Sequence, residues 1–126
     1  MAHKDFALGN MADDLLDVTL ELCGKTENKT LRFPKAFYPT YVKRMVDTAL
    51  DIQEYIFEAN EIRVGEKRKE AQQMAARKCV YLNHLIRIAY QRGYISEKQR
   101  VRWQKLTTAV EWVTVSWIRS DEKRES

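Results

Sequence analysis

The chain has 126 residues, of which 44% are hydrophobic and 32% charged. That is the size of one domain, and the apolar share argues against wholesale disorder. Lys and Arg number 22 against 18 Asp and Glu, a formal net charge of +4, and no apolar run approaches the roughly 18–20 residues of a membrane span.

The charge is unevenly spread. Residues 1–62 hold 7 basic and 11 acidic side chains, residues 63–105 hold 12 and 3, and residues 106–126 hold 3 and 4. The positive surplus therefore sits in one central block, a pattern that points to an anionic partner. Met1 to Asp14 lacks the apolar stretch of a secretory signal, so cytoplasmic residence is expected. Cys23 and Cys79 are too few for a disulfide framework. With 4 Gly and 2 Pro there is little turn chemistry for an all-β fold.

The first predicted helix covers about 11–23. Leu15, Val18 and Leu22 recur at helical spacing, Asp13 and Asp14 suit its positive end, and Gly24 suits its stop. The polar stretch Lys25 to Thr30 reads as a loop. The second predicted helix covers about 38–62, with Pro39 in its first turn. Val42, Met45, Ala49, Ile52, Ile56 and Ala59 fall on one face.

The third covers about 66–92. Ala71, Ala75, Leu82, Leu85, Ile86 and Ala89 form a stripe with Cys79 at its edge, and Gly93 is placed to terminate it. Lys78 falls within the stripe and is expected to extend its amine outward. The fourth covers about 96–120. Ser96 and Gln99 have the spacing of a capping box. Trp103, Leu106, Val110, Val113 and Trp117 form its expected core seam, and residues 121–126 read as a frayed tail. A helix of roughly 25 residues spans about 37 Å, and short connections make neighbours antiparallel. The expected fold is a single all-α domain, an up-down-up-down four-helix bundle.

Val101, Thr108, Trp112 and Val115 lie nearly opposite that seam. A helix that is apolar on two sides is buried on two sides. Two readings compete: the stripe packs on another subunit, making a homo-oligomer, or an N-terminal arm with Phe6, Leu8 and Met11 folds over it.

The outer face of the third helix carries Lys69, Gln73, Arg77, Val80, His84, Arg87 and Gln91, none of them acidic. Lys98, Arg102 and Lys105 share a flank of the fourth helix, and Arg63, Lys67 and Arg68 occupy the turn before the third. Cations fixed along a rod displace condensed counterions from a phosphate backbone, and Arg forks two hydrogen bonds to one phosphate. Such a surface recognises RNA or DNA by backbone rather than base sequence. The competing reading of any charged helix face is simple solvation.

Known catalytic and metal patterns are missing. Neither His3 nor His84 has a Glu three residues before it, as a di-iron bundle requires. Cys23 and Cys79 read better as small buried hydrophobes than as ligands in a site with the two histidines. There is no glycine-rich phosphate loop and no G-x-S-x-G. Glu54, Glu58 and Glu61 read as a solvated face, and Asn28-Lys29-Thr30 as a chance glycosylation sequon. No cofactor and no enzymatic activity are expected.

Several short signatures stand in order. Leu31-Arg32-Phe33-Pro34-Lys35 precedes the second helix, which ends in Phe57-Glu58-Ala59-Asn60. The third carries Leu82-Asn83-His84-Leu85-Ile86-Arg87-Ile88-Ala89. Gly93-Tyr94-Ile95-Ser96 follows, and the last helix ends in Val115-Ser116-Trp117-Ile118-Arg119. Over residues 12–120 this arrangement resembles the accessory variability determinant (Avd) proteins of diversity-generating retroelements and the small bacterial four-helix-bundle proteins around them. The resemblance implies a pentameric barrel that binds nucleic acid and associates with the retroelement's reverse transcriptase, without being the polymerase. That complex makes mutagenised cDNA from a template RNA. The acidic N-terminal half departs from a uniformly basic surface. The second functional reading is a scaffold whose basic block docks an acidic protein and no nucleic acid.

Overall fold

A computed structural model describes residues 6–24 and 31–125. Four helices make up the fold: α1 (Ala7–Cys23), α2 (Lys43–Glu61), α3 (Glu66–Gln91) and α4 (Glu97–Glu125). The described residues contain no strand. A 3-10 turn at Lys35–Phe37 and a π-helical turn at Tyr38–Val42 lead into α2, so the predicted second helix begins as a wider coil that accommodates Pro39.

Contacts along the helices give their directions. Thr19 meets Trp103 and Phe6 meets Trp117, so α4 runs back along α1. Asn83 meets Thr108 and Arg68 meets Asp121, so α3 and α4 are antiparallel. Tyr41 meets Leu85 and Asp51 meets Lys78, so α2 and α3 are too. Each helix packs chiefly on its two neighbours, and the result is the expected up-down-up-down four-helix bundle.

The α2 stripe of Val42, Met45, Ala49, Ile52, Ile56 and Ala59 is wholly buried, as is the α3 stripe with Cys79. The two ends of the 96–99 capping box bond reciprocally: Ser96 N donates to Gln99 Oε1 at 2.8 Å and Gln99 N to Ser96 Oγ at 3.1 Å. Gly93 takes φ +79°. Its N–H donates to Tyr90 O and that of Tyr94 to Ala89 O, which satisfies the last carbonyls of α3 in a Schellman turn.

Several expectations change. α1 starts at Ala7, four residues before the predicted 11, because Leu8 and Ala12 extend the buried stripe of Leu15 and Leu22. In α4 the seam is Trp103, Thr107, Val110, Thr114 and Asp121, all buried, whereas Leu106 is half-buried and Val113 exposed. Threonine is admitted because each hydroxyl bonds within its own helix, Thr107 to Trp103 O at 2.8 Å and Thr114 to Val110 O at 2.7 Å. α4 also continues through the expected frayed tail to Glu125, because Asp121 is anchored in the interior. Phe33, before α2, is buried against Tyr41 and Tyr94 at ring-centre distances of 6.3 and 5.4 Å.

The deepest polar link joins α1 to α4. Trp103 Nε1 donates to Thr19 Oγ1 at 3.0 Å, and Thr19 Oγ1 donates to Leu15 O at 2.8 Å, with both side chains fully buried. Removing the hydroxyl strands a buried indole N–H. Thr19→Val, which keeps the shape, is expected to cost about 1–3 kcal/mol in urea unfolding; unchanged stability would show that the link holds nothing.

At the same end of the bundle Tyr41 Oη donates to Leu85 O at 2.6 Å. Burial pushes its phenol up from 10.0 to about 12. A raised folded value means that its contribution is complete below about pH 10 and is lost as pH rises toward 12. Tyr41→Phe is expected to flatten part of the alkaline stability loss, and an unchanged slope in pH-dependent unfolding would refute that assignment.

Candidate functional site

α3 turns its buried stripe inward, so the positions opposite it face out. Gln73, Arg77, Val80, His84, Arg87 and Gln91 are all exposed. No Asp or Glu occurs between Ala71 and Ser96. Arg87 Nη2 donates to His84 Nδ1 at 2.7 Å. Arginine has no acceptor, so Nδ1 is the accepting nitrogen and the imidazole proton sits on Nε2. The Tyr81 ring stacks beside His84 with centres 6.5 Å apart and planes 27° apart. Sequence reasoning passed over Tyr81; its position three residues before His84 on a helix was the available signal.

The predicted basic residues divide into three groups. Arg63, Lys67, Arg77, Arg87, Lys98 and Lys105 are exposed. Lys69 and Arg102 are tied to acids from other helices: Lys69 Nζ lies 3.0 Å from Glu122, and Arg102 bonds Glu21. Those carboxylates hold both cations charged and raise their pKa values. Ion pairs between exposed side chains hold weakly against water and salt, so both cations can exchange partners. The acid-free face expected along the whole of α3 therefore narrows at its N-terminal turns, where Glu122 reaches Lys69 and Glu66 and Glu70 are exposed.

Arg68 forms the third group. It was expected at the surface and instead turns inward. Its Nη2 donates to Asp121 Oδ1 at 3.0 Å, its Nε lies 2.8 Å from Asp121 Oδ2, and its Nη1 donates to Ile62 O at 3.3 Å. Gln72 Nε2 donates to the same carboxylate at 2.9 Å, and the guanidinium lies 4.7 Å from the centre of the Trp117 ring. Arg68 thus joins the end of α2 to α3 and α4 and is not available to a ligand. Lys78 reaches outward as expected, to Asp51 at 3.3 Å.

The second stripe of α4 is split. Val101 and Trp112 are 49% and 60% exposed, while Thr108 and Val115 are half-buried. Thr108 accepts from Asn83 Nδ2 at 3.0 Å, which draws that part of the stripe toward α3. The expected arm residues lie elsewhere: Phe6 meets the Trp117 edge at 5.4 Å, Leu8 is in the core, and Met11 packs at its margin.

Both cysteines are buried, and burial, with Glu111 nearby, pushes the Cys79 thiol up to about 12. A thiol held protonated is a poor nucleophile and a poor metal ligand. Among the described residues no group of three or more His, Cys, Asp or Glu is placed to hold a metal ion. His3 and Asn28-Lys29-Thr30 lie outside the described residues. No described helix is long and apolar enough to cross a membrane.

Comparison with protein-family models, with curated proteins and with solved structures gives no match.

The division of the basic residues is measurable. Arg68→Ala leaves Asp121 charged and buried without its main partner, and is expected to cost about 3–5 kcal/mol. Arg77→Ala and Arg87→Ala are expected to stay within about 0.5 kcal/mol of the parent. Urea unfolding compares the three, and equal losses would contradict the division.

Proposed function

We propose that this protein is a non-enzymatic accessory that binds nucleic acid and associates with the reverse transcriptase of a diversity-generating retroelement. In that role it supports template-RNA-dependent mutagenic cDNA synthesis in the cytoplasm, as the resemblance to Avd proteins implies. The supporting observation is the outer surface of α3, where Arg77, His84 and Arg87 stand exposed in a segment without a single acid. Arg77 and Arg87 on one rigid helix offer cations to a phosphate backbone, and His84 adds an Nε2–H donor. Assembly into a homopentamer through the exposed part of the α4 stripe repeats this surface once per subunit, so that one nucleic-acid strand meets several copies.

Binding driven by counterion release weakens steeply with salt. Fluorescence anisotropy with a labelled single-stranded RNA checks this. The affinity is expected to fall linearly on a log–log plot against salt. The double variant Arg77→Glu/Arg87→Glu is expected to bind much more weakly and with a shallower slope, by about 0.7 for each phosphate no longer neutralised. Parental affinity in the double variant would refute the site. Absence of any RNA binding at low salt would favour the other reading, a scaffold whose basic surface docks an acidic protein, with exposed Val80 adding apolar contact.

A further inference from the structure

The side of the bundle away from the basic surface has the opposite chemistry. α1 and α2 leave a groove of about 500 Å³ between them. Leu16 and Ile56 give it an apolar base, and Phe57, 51% exposed, stands at its rim. Asp13, Asp17 and Glu54 surround these, and among the described residues no lysine or arginine lines the groove. Gln53 Nε2 donates to Asp13 at 2.6 Å and fixes that carboxylate in place. Asp17 and Glu54 have no ion-pair partner among the described residues. A phosphate backbone is repelled here. An extended peptide would find no strand edge to pair with, whereas a helix satisfies its own backbone and needs only an apolar ridge flanked by cations.

The same chain presents such a helix face. The outer side of α4 carries Val101 and Trp112, both exposed, flanked by Lys98, Arg102 and Lys105. We infer that the α1–α2 groove of one copy receives the outer face of α4 of a second copy. Trp112 and Val101 then cover Leu16 and Phe57, while the α4 cations face Asp17 and Glu54. This rests on the oligomer reading above and names the surface on which the α4 stripe docks. The alternative, α4 against α4 across a two-fold axis, sets Lys98, Arg102 and Lys105 against their own copies, and like charges pressed together oppose binding. The groove-to-stripe contact is heterologous: each copy uses one surface to bind and offers the other to the next, so growth ends only by closing a ring. The assignment also divides the cations. Those of α4 serve the subunit contact, and Arg77 and Arg87 of α3 remain exposed for an anionic ligand, with His84 beside them.

Cysteine pairing distinguishes the arrangements, since both native thiols are buried. Phe57→Cys and Trp112→Cys each alter an exposed side chain, which limits the risk to folding. Oxidation of an equimolar mixture of the two variants is expected to give the mixed dimer, bridged between position 57 of one copy and position 112 of the other, in large excess over either self-paired product. Dominant self-pairing through position 112 would overturn the inference while leaving an oligomer through α4 intact. A parental chain that sediments as a monomer at micromolar concentration would overturn both. As an independent measurement, Asp17→Lys/Glu54→Lys is expected to sediment as a monomer. Mixing it with a Lys98→Glu/Lys105→Glu chain is expected to restore contact between unlike chains, which must alternate and so cannot close a five-membered ring, and failure of the two to co-sediment while each variant stays folded would overturn the inference.

Discussion

The rotation of α4 about its own axis is the constraint on which the rest of the molecule depends. A helix with threonine at alternate core positions has a weak apolar preference for any one orientation. Two polar anchors supply it. Toward the N-terminal end the Trp103 indole bonds Thr19 of α1, and near the C-terminal end Asp121 receives Arg68 and Gln72 of α3. Each is buried, so a turn of the helix away from either would leave a polar group without a partner in a dry interior, which costs more than the bond itself contributes. Between them Thr107 and Thr114 close their hydroxyls onto their own helix and pack as small apolar surfaces.

That rotation decides the outer surface. With Trp103 and Asp121 inward, Trp112 and Val101 face out, and Lys98 and Lys105 are exposed on the same helix. α3 is oriented by its own continuous apolar stripe, which leaves Arg77, His84 and Arg87 exposed. α1 and α2 carry nine of the 18 acids and only two basic residues, Lys43 and Arg44. The linear separation of charge along the chain thus becomes a separation in space, because sequential helices are neighbours in this topology. A modest net charge conceals two surfaces of opposite sign, and such a molecule attracts an anion on one side and a cationic surface on the other.

Much of this was legible in the residues. The stripes of α2 and α3 announce themselves because aliphatic side chains recur without interruption, and the stop at Gly93 and the start at Ser96 follow from local backbone chemistry. The α4 seam was harder. Leu106 and Val113 compete with Thr107 and Thr114 for the core positions, and hydropathy favours the wrong pair because it ignores the back-bonding that makes threonine tolerable inside a helix. Asp121 looked like tail for a related reason: nothing local indicates that Arg68, far away in sequence, will meet it. The same long-range pairing removed Arg68 from the surface set. The acidic groove was hidden as well, since Glu54 read as part of a solvated face and nothing local ties it to Asp17 until α1 and α2 are set side by side.

On the proposed reading, the separation of charge directs anions to the outer surface of α3 and away from α1 and α2. Backbone amide chemical shifts of the isotopically labelled chain, followed during titration with a short single-stranded RNA at low salt, test it most directly. Progressive shifts are expected at Arg77, Val80, Tyr81, His84 and Arg87, with Asp13, Asp17 and Glu54 unmoved. Shifts concentrated on α1 and α2, or a spectrum that RNA leaves unchanged, would contradict it.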